Sequence, residues 1–243
     1  MKVDILGLHI NQISWPETFD VVKNFLTDGR QHTLVTLNPE MVVLARHDPE
    51  YKTILNQADI TIPDGIGLIF ASWFLGKGKL RQRLPGVDLS WKIAELAAAS
   101  GQTLYLLGGQ NGVGQRAAAE MQRHFPRLMV YSGGDNLHSD DPQIITDIQN
   151  KQPTILLVAF GQRAQEFWIA KNISRLPSVR IALGVGGTFD FISGQVKRAP
   201  RAFRSLGLEW FWRLLMQPWR IGRIINATCR FSYLVVQSRL LGK

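Results

Sequence analysis

Cysteine is nearly absent from this chain, since Cys229 is the only one among 243 residues. A disulfide within the chain is therefore excluded, and the composition fits a reducing compartment such as the cytoplasm. Five scattered histidines and this cysteine give no group with metal-ligand spacing, so we predict no metal site. There is no stretch of about 18 apolar residues, and the N-terminal segment lacks the apolar core of a signal peptide. We therefore expect neither a transmembrane helix nor a secretory leader.

Acidic residues are almost absent from the last fifth of the chain. Residues 1–196 carry 18 basic and 18 acidic residues, whereas residues 197–243 carry ten bases and one acid, Glu209, and thus the whole formal charge of +9. Three of the seven tryptophans lie there too. A neutral body with such an end predicts an anionic partner held against an apolar surface, namely a lipid headgroup layer, a diphosphate or a nucleic acid. The ten bases are Lys197, Arg198, Arg201, Arg204, Arg213, Arg220, Arg223, Arg230, Arg239 and Lys243.

Short β-branched segments alternate with longer segments of helical period. This alternation predicts an α/β fold with a mostly parallel sheet covered by helices on both faces. After residue 194 the sequence favours helices and has no strand pattern, so we predict an α/β domain over residues 1–195 and a helical appendage over residues 196–243. The predicted strands are Thr33–Leu37, Ile60–Ile62, Thr103–Leu107, Leu128–Tyr131, Thr154–Ala159 and Arg180–Leu183. The predicted helices are Pro39–Leu55, Gly65–Phe74, Val87–Ala99, Gly112–Phe125, Pro142–Asn150 and Arg163–Ile173.

Glycine follows one predicted strand after another. Ligands of open α/β sheets bind at the C-terminal ends of the strands. Gly108 and Gly109 follow the third predicted strand, Asp135 stands after two glycines behind the fourth, and Gly186 and Gly187 come after the sixth. Each position is compatible with an ordinary turn. Glycines in series, however, let the backbone approach a ligand closely and direct N–H groups at phosphate, which favours a nucleotide-type ligand.

Polar side chains stand at the ends of the first two predicted strands. Asp64 lies between Pro63 and Gly65, a sequence typical of turns and equally suited to a carboxylate that takes a proton from a hydroxyl. The residues alone leave both interpretations open. Thr36 and Asn38 offer donors and acceptors that suit sugar hydroxyls, although an asparagine in this position often caps the next helix.

Two common nucleotide motifs are missing. The glycines of residues 106–121 do not follow the G-x-G-x-x-G spacing, which disfavours NAD binding but leaves a single nucleotide diphosphate possible. No Asp-x-Asp pair occurs to hold a metal on a diphosphate, so cationic side chains or helix dipoles would neutralise a leaving group instead. The arginines of residues 197–243 suit that role. A nucleic-acid-binding module is a remote alternative, because the body has no recognised motif for it.

The segment from residue 220 to about residue 236 has a helical period, with apolar residues on one arc and arginines at its flank. A helix packed on the body with solvated arginines would show this pattern. The tryptophan-rich sequence before it favours contact with an anionic membrane surface.

Seven motifs of this chain resemble, in the same order, those of the WecG/TagA/CpsF family of bacterial glycosyltransferases. They extend from residue 36 to about residue 223, and the last two are the most specific. The motifs are TLNPE (36–40), PDGIGL (63–68), RLPGVDL (83–89), LLGGQNGVG (106–114), AFGQRAQE (159–166), GVGGTFDFISGQVKRAP (184–200) and LGLEWFWRLL (206–215).

The resemblance implies an inverting enzyme that needs no metal or cofactor, with a Rossmann-like body and an appendage that completes the active site. It would transfer N-acetylmannosamine from a UDP donor to polyprenyl-diphospho-N-acetylglucosamine in the assembly of teichoic acid, enterobacterial common antigen or capsule. N-acetylmannosaminuronic acid and glucose are alternative sugars among relatives. The enzyme would be cytoplasmic and peripheral on the inner face of the plasma membrane, and an exposed apolar tail would also permit a homo-oligomer.

The resemblance also implies roles for individual residues. Asp64 would be the general base, and the substrates would be bound by Thr36, Asn38, Arg83, Gln165, Arg213, Arg220 and Arg223. The nucleotide would be bound by Gly108, Gly109, Asp135, Gly186 and Gly187. One departure from the family concerns the Pro-Lys pair expected before Gln165, where this chain has Arg163 and Ala164. Arg163 would supply the missing charge one position earlier, and the choice of donor could be affected.

Overall fold

The computed structural model describes residues 1–135 and 140–242, so Lys243, counted above among the bases, lies outside it. The described chain forms eight strands and thirteen α-helices. The strands are β1 (Lys2–Ile5), β2 (Leu8–Asn11), β3 (His32–Leu37), β4 (Ile60–Pro63), β5 (Thr103–Gly108), β6 (Met129–Gly133), β7 (Ile155–Ala159) and β8 (Ile181–Gly184). The helices are α1 (Trp15–Thr27), α2 (Pro39–Arg46), α3 (Pro49–Gln57), α4 (Ile66–Leu75), α5 (Gly86–Ser100), α6 (Val113–His124), α7 (Pro142–Lys151), α8 (Ala164–Asn172), α9 (Thr188–Ile192), α10 (Arg201–Ser205), α11 (Glu209–Met216), α12 (Ile221–Ile225) and α13 (Phe231–Leu240).

Six of the strands form one sheet in the order β4-β3-β8-β7-β5-β6. The pairings from β3 through β8, β7 and β5 to β6 are all parallel. Strands β7 and β8 are almost entirely buried, as expected for a sheet flanked by helices. The predicted α/β fold with a mostly parallel sheet and a helical C-terminal segment is confirmed.

The six strands of this sheet are the six predicted ones, with bounds that differ by at most two residues. The prediction of a single helix over Pro39–Leu55 is wrong, because the structure has α2 and α3 there. Asp48 caps α3 by accepting a hydrogen bond from the Tyr51 N–H (2.9 Å), and Pro49 occupies its first position. An Asp-Pro pair of this kind disfavours a continuous helix and starts a new one.

Three N-terminal elements were not predicted. Strands β1 and β2 form a separate antiparallel hairpin of two four-residue strands, and α1 follows them. Leu6 and Gly7, which connect the two strands, both adopt positive φ angles. Each of these two strands gives only two alternations of buried and less buried positions, too few for recognition, whereas the equally short β4 and β8 are buried at every position.

The described chain divides into two compact units. Unit 1 comprises Met1–Ser14, Thr36–Pro85 and Val196–Lys243, and unit 2 comprises Trp15–Val35 and Gly86–Gln195. The C-terminal segment thus belongs to the same unit as the N-terminal hairpin and helices α2 to α4. The boundary at residue 195 as the limit of a functional appendage stays a prediction.

Each unit has its own core. In unit 1, α13 contributes Phe231 and Val235, which are buried. In unit 2, helices α7 and α8 pack apolar side chains against β5, β7 and β8. That second cluster includes Tyr105, Leu107, Ile144, Ile148, Leu156, Val158, Trp168, Ile169, Val179 and Ala182.

None of the helices formed by residues 1–135 and 140–242 is long and apolar enough to cross a membrane.

A glycine allows the first turn of α6 to pack directly on β5. A Cβ atom added at Gly114 would lie 2.6 Å from the Gly108 carbonyl oxygen, closer than real Cβ atoms approach backbone. Gly222 in α12 is the opposite case, since a Cβ added there would meet nothing within 4 Å.

We therefore expect Gly114→Ala to lower the free energy of unfolding by about 1–3 kcal/mol, because the helix must move away from the strand. Gly222→Ala, the matched control, should raise it by up to about 1 kcal/mol, as alanine favours helix over glycine. Urea unfolding of both full-length variants measures the two changes. A Gly114→Ala variant as stable as the unsubstituted protein would contradict the packing described here.

Candidate active site

Polar residues of unit 1 meet at the C-terminal ends of β3 and β4. The Asp64 N–H donates a hydrogen bond to the Leu37 carbonyl (2.7 Å), which places Asp64 next to Asn38 on the neighbouring strand. Asp64, Asn38 and Thr36 are all half-buried. The structure therefore brings these three predicted residues to one edge of the sheet and leaves part of each exposed.

The backbone geometry around Asp64 depends on two neighbours. Asn38 Oδ1 accepts a hydrogen bond from the Met41 N–H (3.1 Å), so the capping role that its position suggested is confirmed. A Cβ atom at Gly65 would lie 2.9 Å from Cδ of Pro39, so the turn after Asp64 passes directly over the start of α2. Only glycine fits at position 65 without displacing Asp64.

An ion pair joins α2 to the C-terminal segment. Arg223 binds both oxygens of Glu40, with Nε 3.0 Å from Oε1 and Nη2 2.9 Å from Oε2. Glu40 is only 8% exposed. Because Glu40 is two residues beyond Asn38, this pair ties the basic segment to the helix that begins at the candidate site.

The loop that carries Arg83 also lies against the end of β4. The Leu84 N–H donates to the Pro63 carbonyl (2.7 Å), one residue before Asp64. The backbone of Arg83 therefore lies close in space to the candidate site, and its side-chain Nη1 donates to Glu209 (3.1 Å); its role in binding substrate stays a prediction.

Glu209, the single acid of the C-terminal segment, is bracketed by two arginines. Arg83 Nη1 lies 3.1 Å from Oε2, and Arg198 Nε lies 3.1 Å from Oε1. Arg83 Nη2 also donates to the Arg204 carbonyl (2.7 Å). The side chains of Arg83 and Glu209 are each 19% exposed, so this is a largely buried link between the loop and the segment.

The remaining two predicted arginines of the segment are Arg213 and Arg220. Arg213 Nε donates to the side-chain oxygen of Gln217 (3.2 Å), which is buried. Arg213 and Arg220 are both half-buried. They share unit 1 with Asp64.

Unit 2 carries the predicted nucleotide-binding residues. Gly108 and Gly109 have φ angles of +90° and +95°, which favour glycine. Asp135 Oδ2 accepts a hydrogen bond from the N–H of Gly112, the N-cap of α6 (2.6 Å). Its Oδ1 is buried and forms no hydrogen bond with any described residue. That oxygen is suited to accept a hydrogen bond from a ligand.

Gln165 supports the glycine turn after β8. Its Oε1 accepts from the Gly186 N–H (2.9 Å), and its Nε2 donates to Glu166 (2.7 Å). Gln165 and Glu166 are 3% and 4% exposed. Glu166 in turn accepts from the Arg163 N–H (2.7 Å), so the pair retained from the family pattern positions the turn before Gly187.

Sequence analysis missed the acids that hold the arginines. Glu40 is the last residue of the motif TLNPE, and Glu209 is the one acid in the basic segment, so both positions stood out in the sequence. Their partners are 183 and 126 residues away in the chain, which sequence spacing does not reveal. Among the residues described, no group of three or more histidine, cysteine or acidic side chains is placed to hold a metal ion.

Comparison with known proteins adds to this geometry. Residues 3–243 match the family model described as Glycosyl transferase WecG/TagA/CpsF family. The chain is 32% identical over 240 residues to proteins of Staphylococcus aureus strains MRSA252, MW2 and NCTC 8325, each named N-acetylglucosaminyldiphosphoundecaprenol N-acetyl-beta-D-mannosaminyltransferase. These alignments cover 98% of this chain and 93% of each relative. The family match covers nearly the whole chain, including the strand-end residues and the basic segment described above. The chain therefore belongs to the WecG/TagA/CpsF family of glycosyltransferases.

Proposed function

We propose that this protein transfers N-acetylmannosamine from UDP to the N-acetylglucosamine of a polyprenyl-diphosphate acceptor. The names of the curated relatives support the acceptor and the sugar. The observation that carries the proposal is the half-buried Asp64 at the end of β4, in the same unit as a basic segment anchored by Arg223 on Glu40. N-acetylmannosaminuronic acid and glucose remain alternative donor sugars.

The reaction is a single displacement. Asp64 accepts the proton of an acceptor hydroxyl, whose oxygen bonds to the anomeric carbon of the donor. The bond from that carbon to the UDP oxygen breaks, and UDP leaves with the electron pair. Attack from the side opposite UDP inverts the anomeric configuration. Thr36 and Asn38, beside Asp64, position the acceptor sugar, and Asn38 retains its Nδ2 group as a donor.

Arginine takes the place of a metal at the diphosphate. Arg223 and Arg83 are ion-paired with Glu40 and Glu209, so each pair is close to neutral. Residues 197–243 carry ten bases and one acid, and Arg213 and Arg220 of this basic segment bind the diphosphate of the lipid acceptor, because guanidinium groups bind phosphate oxygens in a fork. A divalent cation is then not needed there.

The nucleotide binds to unit 2. Asp135 Oδ1, buried and unsatisfied by any described residue, accepts a hydrogen bond from the nucleoside. The backbone N–H groups near Gly108, Gly109, Gly186 and Gly187 bind the diphosphate.

The enzyme works as a peripheral protein on the inner face of the plasma membrane. Several large apolar side chains of the C-terminal segment are exposed among its bases, and this combination suits an anionic lipid surface. They include Leu206 (70% exposed), Leu215 (54%), Trp219 (75%) and Ile221 (49%). A homo-oligomer that covers the same side chains is the alternative, and light scattering of the purified protein distinguishes it.

The first test is release of UDP from a panel of UDP-sugars in the presence of EDTA. We expect release from UDP-N-acetylmannosamine only when an alkyl-diphospho-N-acetylglucosamine acceptor is present, because Asp64 activates the acceptor hydroxyl. EDTA should leave the rate unchanged, since arginines at the acceptor diphosphate and backbone N–H groups at the nucleotide diphosphate take the place of a metal. The absence of release from every donor, with or without magnesium and manganese, would contradict the proposal.

Asp64→Asn tests the general base. The amide cannot take the proton, so we expect kcat to fall by about 10²–10⁴-fold with an unchanged circular dichroism spectrum. The matched control is Asp20→Asn, an exposed aspartate in α1, which should keep full turnover. Unimpaired turnover in Asp64→Asn would remove this residue from the mechanism.

Arg220→Gln tests the diphosphate site. Loss of a charge-assisted hydrogen bond costs about 1.5–3 kcal/mol, so kcat/KM for the diphosphate-linked acceptor should fall roughly tenfold to hundredfold. Arg230→Gln is the control, because Arg230 is exposed and its Nη1 donates to Asn226, four residues earlier in the chain (3.0 Å). Equal kinetics for the two variants would count against a diphosphate role for Arg220.

A further inference from the structure

Helix α4 has an aromatic face that the described residues leave exposed. The helix contains no charged residue, and its one polar side chain, Ser72, is buried and accepts a hydrogen bond from the Leu80 N–H (3.0 Å). A helix that is apolar on all sides is expected to be surrounded by apolar material. Yet Phe70, Trp73 and Phe74 are 63%, 67% and 42% exposed. Their i, i+3, i+4 spacing places them together on the side opposite the buried residues of the helix.

Helix α13 packs beside α4 and exposes apolar side chains of its own. The Phe231 ring lies 3.6 Å from a Cβ built on Gly67, and Arg239 Nη1 donates to the Leu75 carbonyl (3.1 Å). The first contact joins the starts of α13 and α4, and the second joins their ends. The two helices are therefore adjacent and parallel. The outward side of α13 exposes Tyr233, Val236 and Leu240 by 66%, 45% and 80%. We call the six exposed side chains Phe70, Trp73, Phe74, Tyr233, Val236 and Leu240 the apolar face.

The charges around the apolar face are mostly positive, although Lys77 Nζ lies 3.6 Å from Asp4 Oδ1. Residues 65–87 contain four bases and no acid, and no acid follows Glu209 in the chain. Lys77, Lys79 and Arg81, directly after α4, are exposed. An apolar face with a basic rim complements an anionic surface, whereas two copies of it placed face to face would repel each other.

We propose that the apolar face inserts into the interfacial layer of an anionic phospholipid bilayer, so that α4 binds the membrane together with the C-terminal segment. Ten residues of helix extend only about 15 Å, too short to span the hydrocarbon layer, so α4 lies in the plane of the interface. Tryptophan is the side chain best suited to that depth. The inference rests on the proposed function only because that function makes the acceptor a membrane lipid.

The test uses the full chain with Phe70→Gln and Trp73→Gln combined, and sedimentation with phosphatidylglycerol vesicles. We expect the apparent partition coefficient to fall about tenfold or more, because two aromatic side chains no longer leave water. The matched control is Met129→Gln with Tyr131→Gln, which removes two exposed apolar side chains from β6 in unit 2, 49% and 38% exposed, and should bind as the unsubstituted protein does. Lys79→Gln with Arg81→Gln should also weaken binding, and less so at high salt.

UDP release on a water-soluble, short-chain acceptor separates this inference from the proposed function. We expect the Phe70/Trp73 variant to retain that activity while losing vesicle binding. Undiminished vesicle binding would overturn the inference, whether or not the transferase assay succeeds. Light scattering that shows a dimer converted to a monomer by the variant, with vesicle binding unchanged, would overturn it in favour of an interface between two copies.

Discussion

The ion pair of Arg223 with Glu40 is the constraint on which the arrangement of unit 1 depends. A carboxylate as buried as Glu40 is costly unless a cation and good hydrogen bonds compensate it, and the arginine fork provides both. The pair fixes the basic C-terminal segment on α2, whose cap, Asn38, lies beside Asp64. The link of Arg83 to Glu209 repeats this logic at the loop that packs against the end of β4. Thus the acids of unit 1 organise the arginines, and the C-terminal segment, with ten bases and one acid, has a net positive charge that suits an anionic substrate.

The two units would bind phosphate by different means in the proposed mechanism. Unit 1 would use long cationic side chains that must be held in place, whereas unit 2 would use backbone N–H groups at glycine turns, which are fixed by the fold itself. Gly114 and Gln165 show what that fixation requires, namely close packing of α6 on β5 and a buried amide under the turn of Gly186. The apolar face of α4 and α13 adds a third element to unit 1, which we assign to the lipid surface.

The sequence alone was sufficient to predict the strands of the sheet, but it was insufficient to predict the contacts of the basic segment. All six strands of the sheet are short apolar segments ended by glycine or proline-containing turns, so local pattern located them well. The Asp48-Pro49 break was also present in the sequence, but a continuous helical period outweighed it in the prediction of a single helix. The pairs of Glu40 with Arg223 and Glu209 with Arg83 join distant residues, and no local pattern indicates which arginine meets which acid. The exposure of Phe70 and Trp73 was equally hidden, because an apolar helix in an α/β protein is ordinarily covered.

The most direct test of the single displacement at Asp64 is the anomeric configuration of the product. The disaccharide formed from an α-linked UDP-N-acetylmannosamine donor would be isolated, and the one-bond carbon–proton coupling at its new glycosidic carbon measured by NMR. Attack by the acceptor hydroxyl from the side opposite UDP predicts a β linkage. An α linkage would mean net retention and would contradict direct displacement.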